Sequence, residues 1–260
     1  MQNRKYGRKV PVALPPHRML NRVSLNLPPV VDLRQFCGAV KDQQNLGSCT
    51  GHAFASSMEW IFRKYFGKSP VLSPLYLYAH ELIADGDFPQ DNGSDGTTGC
   101  NVSIVNGCCE DLLYPDASQE ILQPGPDQDT NAKNYQMGAY HGLAGSQVAL
   151  SVLGDPVPWP VQIGFTVYES FESDYTAKTG IMTIPAASEQ NVGGHEIYLV
   201  GYDVGDTPSL RPAGCPPAFL ARNSWGAGWG WEEGNFWMPR QILDAPDTDL
   251  KIIHSGHPWL

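Results

Sequence analysis

Residues 41–67 read KDQQNLGSCTGHAFASSMEWIFRKYFG, a run of turn-forming residues that reaches Gly47 and Ser48, then a cysteine, and then continues in a helical pattern. Phe54, Met58, Ile61, Phe62 and Tyr65 recur at helical spacing, Glu59, Arg63 and Lys64 lie on the other face, and Gly67 supplies the stop. The pattern predicts a helix that begins at Cys49. The unpaired amides of a helix's first turn carry partial positive charge, which favours a thiolate over a thiol, so position alone points to a nucleophile. Gly47 permits close approach of a substrate backbone, and the Cys49 amide is placed to face a developing oxyanion. A buried structural cysteine is the competing reading.

Working outward, LSPLYLYAHELIA predicts a second helix, with Ser73 as cap and Pro74 in the first helical position. Residues 85–129, rich in Gly, Asp, Pro and Cys, read mostly as loop with a short helix around NVSIV. The second half changes character: PVQIGFTVY, HEIYLVGYD, PAFLARNSW and GNFWMP are short apolar or alternating runs bounded by turn residues, as strands are. The expectation is an α+β, two-lobed protein with a ligand cleft between the lobes. Residues 1–26 form a proline-interrupted basic arm, 27–130 a helical lobe carrying Gln43 and Cys49, and 131–260 a β-rich lobe, barrel-like, carrying His195 and Asn223.

A formal net charge of -10 argues against nucleic acid or an anionic membrane as partner. The charge is unevenly spread. Arg4, Lys5, Arg8, Lys9, Arg18 and Arg22 are six of the 17 basic residues and no acidic residue precedes Asp32, so a basic arm is tethered to an acidic body. Prolines 11, 15 and 16 interrupt the arm and no apolar run follows its charges, so a secretory signal is not expected, and a cytoplasmic location or export by a non-classical route fits the sequence. No stretch approaches 18 apolar residues, the length a membrane span needs. The six cysteines lack the paired spacings of a zinc site, and their count leaves disulfide pairing and compartment open.

Three further motifs stand in order with Cys49. VKDQQNLGSC places Gln43 six residues before the thiol, NVGGHEIYLVGYD carries His195 at the mouth of a strand, and FLARNSWGAGWGW carries Asn223 before a Trp-rich turn. Together these segments resemble the papain family of cysteine peptidases from about Leu27 to about Pro239, and LPPVVDLRQ is similar to the start of a mature member. The NLGSCT variant looks most like the compact bacterial branch that includes xylellain. The resemblance implies a helical lobe and a barrel-like lobe with the site between them. It implies roles as well: Cys49 as nucleophile, His195 as its acid–base partner, Asn223 as the residue that orients the imidazole, and Gln43 as oxyanion donor. Trp225 would cover the Asn223–His195 hydrogen bond, and Gly47, Ser48, Gly194 and Glu196 would line the substrate cleft. No metal or organic cofactor is needed for this chemistry.

The departures are informative. Thr50 stands where most of the family has Trp, and Leu46 where a bridge-forming cysteine is usual, so cysteine pairing is not carried over. Gln44 follows Gln43 and is the alternative donor, with the spacing favouring Gln43. His52 shares a helix face with Cys49 and competes with His195 as base; the other reading is a buried, hydrogen-bonded histidine. Glu196 replaces a small residue that lines the pocket for the substrate side chain one position upstream of the cleaved residue. A carboxylate there shrinks the pocket or makes it receptive to Lys or Arg, unless it turns to solvent. The carboxylates from Asp244 to Asp249, together with His254 and His257, read as surface or structural.

The expected activity is therefore hydrolysis of protein or peptide substrates through a thioester. The alternatives are acyl transfer from the same Cys/His site, or a catalytically silent binding protein of papain fold. An arm of 26 residues is too short for a core of its own, and its charge suits it to lie along the cleft of the acidic body and obstruct substrates, as an inhibitory pro-segment.

Overall fold

Helix α1 (Cys49–Phe66) starts at the thiol and ends on Gly67 in the left-handed region, φ 63°. Residues 4–255 are described by a computed structural model. Phe54, Met58 and Ile61 are fully buried, and so is Trp60 on the far side, whose indole N–H donates to the Leu33 carbonyl at 3.0 Å. The helix is thus wrapped by protein along most of its length, and its burial rather than its intrinsic propensity stabilises it. Helix α2 (Pro74–Asp85) begins under Ser73, whose hydroxyl accepts the Tyr76 N–H at 3.1 Å.

The stretch expected as mostly loop carries two helices. In α3 (Gly96–Val105), Asp95 caps the start by accepting the Thr97 and Thr98 amides at 2.7 and 3.2 Å. Its Gly-Thr-Thr-Gly opening has weak helix propensity, so the signal is faint in sequence and packing against α1 and α2 decides the outcome. Helix α4 is Pro126–Ala132, with proline at the first position. Three more helices, α5 (Ser146–Leu153), α6 (Asp174–Thr179) and α7 (Arg240–Leu243), join strands of the second half.

The strands are β1 (Met19–Leu20), β2 (Val30–Asp32), β3 (Ala139–Leu143), β4 (Val161–Tyr168), β5 (Asn191–Asp203), β6 (Ala218–Arg222), β7 (Asn235–Pro239) and β8 (Asp249–His254). The barrel-like lobe is realised as an open sheet in the order β1-β3-β8-β4-β5-β6-β7, with β2 added to β5. All pairings are antiparallel except β1 with β3. Strands β3 and β8 had no sequence reading, because each is short and mixes polar with apolar residues, and β8 buries Lys251 and His254 only through long-range pairing.

The register sets up the site. Gly164 of β4 lies between Glu196 of β5 and Asp249 of β8, while Phe165 lies beside His195. Since side chains alternate across a strand, His195 and Glu196 face opposite sides of the sheet. One apolar cluster joins α1 to the strands, and a smaller one gathers Leu75, Tyr76, Ala79, Cys109, Tyr114 and Ala132 beneath α2. All six cysteines are free thiols. Among the described residues no helix is long and apolar enough to cross a membrane, and no group of three or more His, Cys, Asp or Glu could hold a metal ion. His257 lies outside the described residues.

Candidate active site

Three elements bring the sequence-selected residues together. Strand β5 delivers His195, the end of β6 delivers Asn223, and the start of α1 delivers Cys49. His195 Nε2 and Asn223 Oδ1 are 2.8 Å apart. The same Oδ1 accepts the Ser224 backbone N–H at 2.8 Å, which identifies it as the oxygen and makes Nε2 the donor. The neutral ring therefore keeps its lone pair on Nδ1, which has no protein partner. Trp225 stacks on the imidazole, with centroids 4.9 Å apart and an interplanar angle of 27°, and Trp229 meets Trp225 edge-on. This stack excludes water from the Asn223–His195 bond.

Cys49 faces the same place, because its sulfur accepts the backbone N–H of Glu196, the residue after His195. The helix start was expected to favour the thiolate. Burial outweighs it here: the thiol is pushed up to about 12 and the His195 imidazole down to about 4. As the site stands, thiol and imidazole are both neutral.

Gln43 is buried and Gln44 is exposed with φ 50°, so the oxyanion geometry favours Gln43. The Gln43 carbonyl accepts from the Ser224 hydroxyl at 2.6 Å, and one N–H of its amide goes to the Leu46 carbonyl at 2.9 Å. The second N–H remains for a ligand. Ser48 is buried with an unpartnered hydroxyl, and its carbonyl accepts from the amide and Nδ1 of His52 at 3.1 and 2.8 Å. His52 Nε2 lies 3.2 Å from Asp116, so this histidine is tied to its own helix start and to a loop, away from the role of base.

Sequence reasoning missed several supporting residues. Asp91 accepts the Gly47 N–H at 3.0 Å and the Tyr78 hydroxyl, which pins the turn before the nucleophile. Thr50 donates to Glu81, a fully buried carboxyl that burial pushes up to about 8. Glu196 does not turn to solvent: it is fully buried, neither oxygen has a partner, and burial followed by the nearby charge of Asp249 raises its proton affinity. Asp249, read as surface or structural, pairs with both Arg8 and Lys251. No local motif marks these residues, because strand register and helix packing bring them together.

Residues 4–9 add contacts of their own. The Gly7 backbone N–H reaches the Cys49 sulfur. The Arg8 N–H donates to the Gly194 carbonyl at 3.0 Å, Ser94 donates to the Gly7 carbonyl at 2.8 Å, and Lys9 donates to the Ser94 carbonyl at 2.7 Å. Arg8 and Ser94 are paired in parallel. The Arg4 guanidinium lies 4.2 Å over the Trp225 ring, and the Tyr6 ring packs edge-on against His195 at 6.2 Å. Lys5 pairs with Asp91 at 2.6 Å and Lys9 with Asp87 at 2.6 Å. Gly7 backs onto Gly47 and Gly93 so closely that a Cβ on any of the three would collide or crowd.

The family model described as papain family cysteine protease matches residues 27–247. A peptidase C1-like protein of Acanthamoeba polyphaga mimivirus is 28% identical over 82% of this chain and 69% of its own length. A cathepsin B-like cysteine proteinase of Caenorhabditis elegans is 25% identical over 84% of this chain and 68% of its own. Among solved structures, xylellain, a cysteine protease from Xylella fastidiosa, superposes with a TM-score of 0.82 over 98% of both chains at 24% identity. A procathepsin L 3 of Tenebrio molitor superposes at 0.70 over 97% of this chain and 76% of its own, at 18% identity.

Proposed function

The chain belongs to the papain family of cysteine proteases, and from that premise we propose that it hydrolyses peptide bonds at Cys49 and is held silent by its N-terminal arm. The Cys49 proton passes to His195 Nδ1 as the sulfur adds to the substrate carbonyl carbon. The resulting oxyanion accepts from the Cys49 amide and from the free N–H of Gln43. Collapse of the tetrahedral adduct breaks the C–N bond, and the leaving amine takes the proton from His195 Nδ1. Water, deprotonated by the same nitrogen, then opens the thioester to release the acid and restore the thiol. The observation that carries this reading is the Asn223-oriented, Trp225-covered imidazole, whose one free nitrogen is the only base the step requires.

Silencing by residues 1–26 is supported by the contacts of Gly7 and Arg8 with Cys49 and Gly194, and by the neutral state of the buried pair. The parallel pairing of Arg8 with Ser94, together with glycines 7, 47 and 93 packed back to back, leaves no room for a substrate beside the sulfur. Release of the arm would admit water and stabilise the charged forms that attack requires.

A thiol-directed epoxide and fluorogenic peptides test the proposal together. Expected are slow labelling of Cys49 and slow turnover in the intact chain, both accelerated in Arg8→Glu, and neither seen in Cys49→Ser. Rapid labelling of the intact chain, equal to that of Arg8→Glu, would sink the inhibitory arm. Labelling without turnover in every variant would favour a silent binding protein, and capture of added amines in place of water would favour acyl transfer.

A further inference from the structure

Glu196 is the least explained residue of the site, a buried carboxyl without a partner. Its surroundings are charged. Gly164 separates it in register from Asp249, so two carboxyls project from one sheet face across a residue that has no side chain. A Cβ on Gly164 would stand 2.5 Å from Arg8 Nε, 2.5 Å from Glu196 Oε2 and 2.7 Å from Asp249 Oδ1. On the other wall, a Cβ on Gly96 would stand 2.9 Å from Glu196 Oε1, 3.1 Å from Lys251 Nζ and 3.2 Å from Asp249 Oδ2. Both glycines therefore open one chamber, and side chains of opposite charge fill it.

Arg8 enters this chamber from the arm. Its side chain is 1% exposed, it pairs with Asp249, and it donates to the Asp247 carbonyl at 3.0 Å. Lys251, the chamber's own cation, is engaged by the other oxygen of Asp249. Without Arg8, Asp249 Oδ1 and both oxygens of Glu196 would face the chamber with no donor, because Lys251 is engaged by the other oxygen of Asp249. An apolar occupant would leave those acceptors buried without a donor, whereas a guanidinium or ammonium brings N–H groups and a counter-charge for Asp249. The main chain is equally specific: a residue at the Arg8 position is held by Gly194 on one side and flanked by the Ser94 amide and carbonyl on the other.

Resting on the reading of the chain as a peptidase, we propose that this chamber selects Arg or Lys as the substrate residue one position upstream of the cleaved one. Arg8 is its resident stand-in. Glu196 and Asp249 are specificity-determining residues, Gly96 and Gly164 give the chamber its depth, and Lys251 holds Asp249 in place.

Two measurements on the full chain separate this proposal from the peptidase reading. In the first, the arm is released by Arg8→Glu, and fluorogenic peptides differ only in Arg, Lys, Leu or Phe at that position. Expected is kcat/KM at least 10-fold higher for Arg or Lys than for Leu, narrowing below 3-fold in Glu196→Gln and Asp249→Asn, with the loss confined to basic peptides. A preference for Leu or Phe, or a basic preference unmoved by both substitutions, would overturn it. The second needs no turnover: amide hydrogen exchange at Arg8 and Lys9 reports how well the chamber holds its occupant. Arg8→Lys should keep protection within 3-fold of the natural chain, and Arg8→Leu should lose at least 10-fold. Equal protection in those two variants would overturn the chamber's preference for a cation even if peptides are cleaved. Absence of cleavage with the expected exchange pattern would count against the peptidase reading alone.

Discussion

His195 and Glu196 are neighbours in β5, yet they face two differently built regions. On the His195 side the ring is oriented from the body of the protein, with Asn223 bonded to it, Ser224 holding Asn223, and Trp225 and Trp229 covering them, while Tyr6 and Arg4 of the arm pack on the outside. On the Glu196 side, two carboxyls and Lys251 share one chamber, and Arg8 of the arm fills the rest of it by pairing with Asp249. The imidazole is oriented by body residues alone; the charged chamber is filled by a residue of the arm. On the reading proposed above, reactivity is preorganised by packing, while access and selectivity fall to the segment that fills the chamber.

The contrast can be broken first at the catalytic face. His195→Ala should lower peptide hydrolysis by about 10³-fold or more, the scale of a lost acid–base group, whereas His52→Ala should weaken folding and leave residual turnover well above that. If only His52→Ala abolished turnover, the assignment of the base would be wrong. Gln43→Ala should cost about 10²-fold in kcat with little change in KM, because its free N–H is used only as the oxyanion forms. A loss confined to KM would place Gln43 in ground-state binding instead.

Smaller effects sharpen the other side. Arg8→Glu sets a like charge against Asp249, so alkylation of Cys49 at pH 6 should accelerate at least 10-fold, measured by mass spectrometry of the labelled chain. An unchanged rate would show that the arm does not control the thiol. Glu81 is the mildest probe. Its folded pKa, about 8 against an ordinary value of 4.5, means the native state binds more protons between those limits, so stability falls as pH rises through that window. Urea unfolding at pH 5 and pH 8 should show Glu81→Gln escaping this loss, with the difference between the two proteins growing by about 1 kcal/mol per pH unit. A constant difference would place the titration elsewhere.

What could be read from the chain without a structure were the features with local chemical signatures. The periodic run after Cys49 marked α1, Ser73-Pro74 marked the start of α2, and the His195 and Asn223 motifs stood in the order that the papain resemblance implies. Helix periodicity, caps and turn residues act over a few positions, which is why they are legible in one dimension. The outcome for Glu196 was not, since the same residue could face solvent, shrink a pocket or complete one. Tertiary structure decided it, by setting Gly164 between Glu196 and Asp249 across three strands and threading Arg8 into the opening. The protonation of Cys49 was settled in the same way. A helix start alone favours the thiolate, and the Glu196 and Gly7 amides act in the same direction, but burial outweighs them and favours the neutral thiol, and burial is a property only the folded chain possesses.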